Sequence, residues 1–118
     1  MSVVCLCGST RFRSAFELAN MDETLRGNVV ISVGLFGHVD YPDGSRYLTS
    51  DGDESMAVKQ DLDALHFRKI DLADEVLVIN VGGYVGSSTK REIAYAREQG
   101  KSVRFLFREA NSQPGPVR

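Results

Sequence analysis

The residues of this chain that could do chemistry gather at two glycine-bearing turns. The first is Asn80-Val-Gly82-Gly83-Tyr84-Val-Gly86-Ser87-Ser88-Thr89-Lys-Arg-Glu92, directly after the apolar run Val76 to Ile79. A strand-to-helix turn of this kind gathers free backbone N–H groups at the positive end of a helix, so it suits anionic or hydroxyl-rich ligands. Glu92 is the sharpest candidate, because a carboxylate in the first turn of a helix stays ionised and can serve as a nucleophile. A structural role competes with this. Thr89-Lys-Arg-Glu92 matches a capping box, in which Thr89 caps the helix and Glu92 reaches back to the cap's own N–H. Against that, Gly82, Gly83, Gly86, Ser87 and Ser88 give the turn more backbone freedom and more hydroxyls than a cap requires.

The second turn is Cys5-Leu-Cys7-Gly8-Ser9-Thr10-Arg11. Gly8, Ser9 and Arg11 offer turn N–H groups, a hydroxyl and a guanidinium, the donors a phosphate needs. A helix cap with a solvated arginine is the plainer alternative. The two turns could face one pocket from neighbouring strands. His66 lies on the helix leading into the third predicted strand, with Asp63 one turn earlier on a similar face. Its imidazole suits acid–base work, or it is a polar residue at the core edge. Tyr84 could stack on a sugar or base, or cover the sheet end, and His38, Asp40 and Tyr41 could reach over the pocket or simply form turns.

Several classes lose support. There is no Gly-x-x-x-x-Gly-Lys-[Ser/Thr] element, and no Gly-x-Gly-x-x-Gly follows the first strand, which disfavours P-loop nucleotide hydrolysis and dinucleotide binding. With 14 basic and 16 acidic residues the net charge is −2, so neither duplex nucleic acid nor an anionic membrane is an expected partner. Strand alternation points Cys5 and Cys7 to one face, where a mutual disulfide is not expected. Zinc would need two more ligands from a chain whose histidines are His38 and His66 alone, so core thiols are expected and no metal. No leader or bilayer-length apolar stretch is evident, and a cytoplasmic location is the simplest expectation.

These residues must be positioned by alternating strands and helices. The 118 residues fit one domain over 1–110, with a frayed tail over 111–118 that contains Pro114, Gly115 and Pro116. Strands are expected at Val3 to Cys7, Val29 to Val33, Glu75 to Val81 and Ser102 to Phe107. Phe12, Ala15, Phe16, Ala19 and Leu25 recur at helical spacing, with Ser9 or Thr10 placed to cap and Gly27 to stop. A second helix runs from Ser55 to about Asp71 with Val58, Leu62 and Leu65 as its apolar stripe. The third runs from Thr89 to Gln99 and is stopped by Gly100. Between them, Gly34 to Asp53 is a long loop, of the kind that often forms a lid. Right-handed crossovers then give an α/β fold: a small parallel sheet of four to five strands with helices on both faces, flavodoxin-like or Rossmann-like. Its ligand crevice lies past the carboxyl ends of the strands.

Cys7-Gly8-Ser9-Thr10-Arg11, Asp71-Leu-Ala-Asp74-Glu-Val-Leu-Val and Glu92-Ile-Ala-Tyr-Ala-Arg-Glu-Gln-Gly100-Lys together resemble the nucleoside 2-deoxyribosyltransferase-like superfamily, which includes 2′-deoxynucleoside 5′-phosphate N-hydrolases. The resemblance spans roughly residues 3 to 107 and is specific only at the first turn and the Glu92 helix. It implies a homodimer or higher homo-oligomer without metal or organic cofactor that acts on a nucleoside or nucleotide. Glu92 would be the nucleophile, Gly8, Ser9 and Arg11 the 5′-phosphate turn, and Ser87 and Ser88 the hydroxyls before the catalytic helix. The chain departs from the pattern at Cys5, where the family commonly has tyrosine, and at His66, where it has aspartate. The implied reaction is cleavage or transfer at an N-glycosidic bond through a glycosyl-enzyme ester, with Asp63, Asp40 or His66 as the acid. The alternatives are a nucleotide-binding or sensing module, and a phosphoribohydrolase of the cytokinin-activating type, loosely echoed in Gly82 to Glu92.

Overall fold

The computed structural model describes residues 1–34 and 57–107, with backbone only at 57–59. His38, Asp40 and Tyr41, nearly all of the predicted loop, and the tail beyond 107 lie outside the described residues. Four parallel strands, β1 (Val3–Gly8), β2 (Val29–Ile31), β3 (Glu75–Ile79) and β4 (Ser102–Phe105), stand in the order β2-β1-β3-β4. The helices are α1 (Arg13–Leu25), α2 (Ala57–Leu72) and α3 (Ser87–Glu98). This is the expected α/β architecture, compatible with a small flavodoxin-like or Rossmann-like fold.

The unbroken apolar runs of β1 and β3 are buried on both faces because a helix layer covers each. On one face Val4, Leu6, Leu77 and Ile79 pack against Phe16 and Ala19 of α1. On the other, Cys5, Cys7, Val76 and Val78 pack against Ile70 of α2 and Ile93 and Ala96 of α3. Burying an aromatic or aliphatic side chain as completely as Phe16, 2 % exposed, contributes about 1.5–3 kcal/mol.

The helix ends differ from expectation in instructive ways. α1 begins at Arg13 with no side-chain cap, so neither Ser9 nor Thr10 caps it. Ser9 Oγ instead accepts the Arg11 N–H within the turn, at 3.3 Å. At the other end Gly27, at φ +85°, donates to Thr24 O while Asn28 N donates to Glu23 O, the paired bonds of a Schellman stop. Leu25, expected in the apolar stripe, is 79 % exposed, and Glu23 takes the inward position with 1 % exposure. Its carboxylate accepts a forked pair of bonds from Arg104 of β4, at 2.8 and 3.2 Å, and a third from Asn28 at 2.9 Å. Arg104 also pairs with Glu75 of β3.

On α2 the expected stripe is displaced as well. Leu65 is 42 % exposed, and the inward face runs through His66, Phe67 and Ile70. β3 stops at Ile79, two residues early. The Asn80 side chain donates to Phe107 O and accepts Phe107 N–H, both at 2.9 Å, in place of further strand pairing. The Asp71-Leu-Ala-Asp74 segment is structural. Asp71 accepts the Tyr95 hydroxyl at 2.6 Å and Asp74 accepts Val3 N at 2.8 Å, at the amino end of β1.

Candidate functional site

β1 and β3 are neighbours, yet the helices that follow them leave to opposite faces, α1 to one and α3 to the other. Such a reversal opens a crevice beyond the carboxyl ends of the two strands. A cavity of about 210 Å³ lies there. Gly8, Ser9 and Thr10 form its wall after β1, and Tyr84, Gly86, Ser87, Ser88, Thr89 and Glu92 its wall after β3. Leu62, Asp63, Leu65, His66 and Lys69 of α2 and Val33 and Gly34 after β2 close the remainder.

Close approach of backbone makes the crevice possible. A Cβ on Gly8 would stand 2.9 Å from both Cβ and O of Ile79, its partner on β3. Beyond Ile79, Gly82 and Gly83 have φ of +63° and +81°, left-handed conformations that only glycine takes readily, and they swing the chain into Tyr84. α3 then starts at Ser87 with Gly86 at the N-cap, two residues earlier than expected. This overturns the capping-box alternative. Thr89 is inside the helix, and Glu92 sits in its second turn, beyond reach of the cap N–H. The first turn carries no acidic residue, so the expectation of Glu92 beside the positive helix end is also corrected. Glu92 is nevertheless 7 % exposed and lines the cavity.

The structure thus brings Gly8, Ser9, Asp63, His66, Tyr84, Gly86, Ser87, Ser88 and Glu92 to one hollow. Arg11 is not among them. It lines a shallow depression beside Phe12 and Arg13, with its guanidinium 4.8 Å from the centre of the Tyr84 ring. Asp63 lies 3.7 Å from Arg91 of α3. Lys69, overlooked in the sequence, lines the cavity while its ammonium donates to Ser32 O at 2.8 Å. Its spacing of three from His66 on a helix was the available signal. Thr89, Leu62 and Leu65 also line the cavity, though none was expected at the site.

Behind the cavity wall, His66 Nε2 lies 3.3 Å from Cys7 Sγ and 3.6 Å from Cys5 Sγ. Both thiols are free and 0 % exposed. Cys5 of β1 and His66 of α2 therefore face each other. Burial pulls the His66 pKa down, but the hydrogen bond to Cys5 and the Glu92 charge outweigh it and leave the imidazole above its ordinary value. The Cys7 hydrogen bond, with help from His66 and Lys69, lowers Cys5 to about 5 despite burial. Cys7 is raised, first as Cys5's partner, then by burial and by Glu92.

No family model, curated protein or solved structure matches the chain. Among the described residues, no helix is long and apolar enough to cross a membrane.

Proposed function

We propose that this protein cleaves or transfers at the N-glycosidic bond of a nucleoside or nucleoside 5′-monophosphate, with Glu92 as nucleophile. The observation that carries this reading is a nearly buried carboxylate, Glu92, sharing one cavity with the Asp63 carboxyl and the His66 imidazole. A Glu92 oxygen forms a bond to C1′ as the C1′–N bond breaks. The electron pair leaves with the base, which takes a proton from Asp63 or His66. Water or a second base then attacks C1′, gives its proton back to the group that protonated the leaving base, and frees the Glu92 carboxylate, the retaining sequence of a glycosidase.

Positioning falls to groups that do not react. Tyr84, Leu62 and Leu65 supply aromatic and aliphatic surface for sugar and base. Ser9, Ser87, Ser88 and the first N–H groups of α3 face the same space as donors to the 5′ end. Arg11 adds positive charge from the rim, through its seat on Tyr84. On this reading the protein is cytoplasmic and forms a homodimer or higher homo-oligomer.

A chromatographic assay for free base over a panel of ribo- and deoxyribonucleosides and their 5′-monophosphates tests the proposal. Release by the wild type and its loss in Glu92→Gln are expected. Binding without release, unchanged in Glu92→Gln, would mark a nucleotide-binding module instead.

A further inference from the structure

Two sulfurs and an imidazole nitrogen meet in the core behind the cavity, and the glycosidic chemistry has no use for the sulfurs. We propose that Cys5, Cys7 and His66 form a binding site for a thiophilic d10 cation, zinc in the first instance. The three ligand atoms all lie within 4.8 Å of one another. Tetrahedral zinc takes thiolate at about 2.3 Å and imidazole at about 2.0 Å, which sets a sulfur-to-nitrogen edge of roughly 3.5 Å. The two edges present are 3.3 and 3.6 Å.

The ligands are also well held. Cys5 and Cys7 project from one face of β1, and His66 comes from α2, which packs on that face through Ile70. A site carried by a strand and a helix keeps its geometry better than one carried by loops. The donor set selects the ion, since thiolates and imidazole favour zinc or copper(I) over magnesium and calcium, which want oxygen. His66 and Glu92 both line the cavity, so the cavity is the entry route, and its water supplies the fourth ligand. Zinc bonds only deprotonated donors, so any proton still on the two thiols and the second ring proton of a charged His66 pass to solvent as the metal binds, and affinity falls as pH falls. This inference does not rest on the glycosidic reading and is tested without substrate.

The test uses the full chain, reduced and stripped of metal by a chelator, titrated with cobalt(II) as a spectroscopic probe. One equivalent should develop thiolate-to-cobalt charge-transfer absorption and strong tetrahedral d–d bands, both removed by zinc. Stoichiometric zinc should raise the melting temperature, and Cys7→Ala and His66→Gln should each lose affinity by more than about tenfold. Zinc should also slow maleimide modification of both thiols in the wild type, a readout that needs no variant to fold. A wild type with no charge-transfer band in excess cobalt, bands undiminished in both variants, or modification rates indifferent to zinc would each overturn the proposal.

Discussion

Nε2 of His66 lies 3.3 Å from Sγ of Cys7, joining α2 to β1 by a polar contact beside the apolar side chains of that layer. The same imidazole lines the cavity, so one residue serves both core and site. Replacing it with alanine strips both buried thiols of this partner and leaves a void. Urea unfolding of His66→Ala should show a loss of about 1–3 kcal/mol.

Among the described glycines, Gly8 has the tightest surroundings. An added methyl would meet the Ile79 backbone oxygen at 2.9 Å, and backbone cannot swing aside as a side-chain end can. Gly8→Ala should therefore cost about 1–3 kcal/mol and widen the spacing of β1 and β3 beside the cavity. Its denaturation midpoint is the measurement, with Gly34→Ala, whose nearest atom is the flexible Lys69 ammonium at 3.8 Å, as the milder comparison.

Glu23 ties stability to pH. Burial tends to raise its pKa, but the hydrogen bonds from Arg104 and Asn28 prevail and hold it below the ordinary value. A depressed carboxyl contributes stability that is fully present above its unfolded pKa, near ~4.3, and lost as pH falls through the lower folded value. Glu23→Gln should be less stable by about 1–3 kcal/mol at neutral pH and should lose less than wild type on acidification. Urea midpoints followed downward from pH 6 in both proteins decide this.

Arg11 has a modest place in this scheme. Its guanidinium rests on a half-exposed tyrosine, a contact worth about 0.5–1 kcal/mol at such sites. Arg11→Ala should raise KM for a 5′-monophosphate severalfold and leave the corresponding nucleoside nearly unaffected. Equal effects on both substrates would assign Arg11 to holding Tyr84 rather than to the phosphate.

Much of the frame was legible because local chemistry and tertiary packing agree there. The doubly buried runs of β1 and β3 and the stops at Gly27 and Gly100 leave little choice of structure, and the parallel α/β layout follows from their order. The inward polar residues were not legible. Glu23 and His66 interrupt the apolar stripes of α1 and α2, and their partners, Arg104 and the two thiols, are remote in sequence, so spacing favoured Leu25 and Leu65 instead. The start of α3 shifted for a related reason. Gly86 ends the extended segment, and the helix takes in Ser87 and Ser88, which moves Glu92 out of capping range. Arg11 stands outside the cavity lining because α1 begins only at Arg13, after a turn closed by Phe12 N–H to Ser9 O at 3.1 Å, while Tyr84 receives the guanidinium.

Covalent attachment of the sugar to Glu92 can be trapped and weighed. A 2′-fluoro-2′-deoxynucleoside or its 5′-monophosphate, whose fluorine slows release of the enzyme-bound sugar, should add the mass of the glycosyl group to the protein. Peptide mapping should place that mass on Glu92, with none acquired by Glu92→Gln. Base released without any adduct on Glu92, or an adduct on another side chain, would exclude Glu92 as the nucleophile.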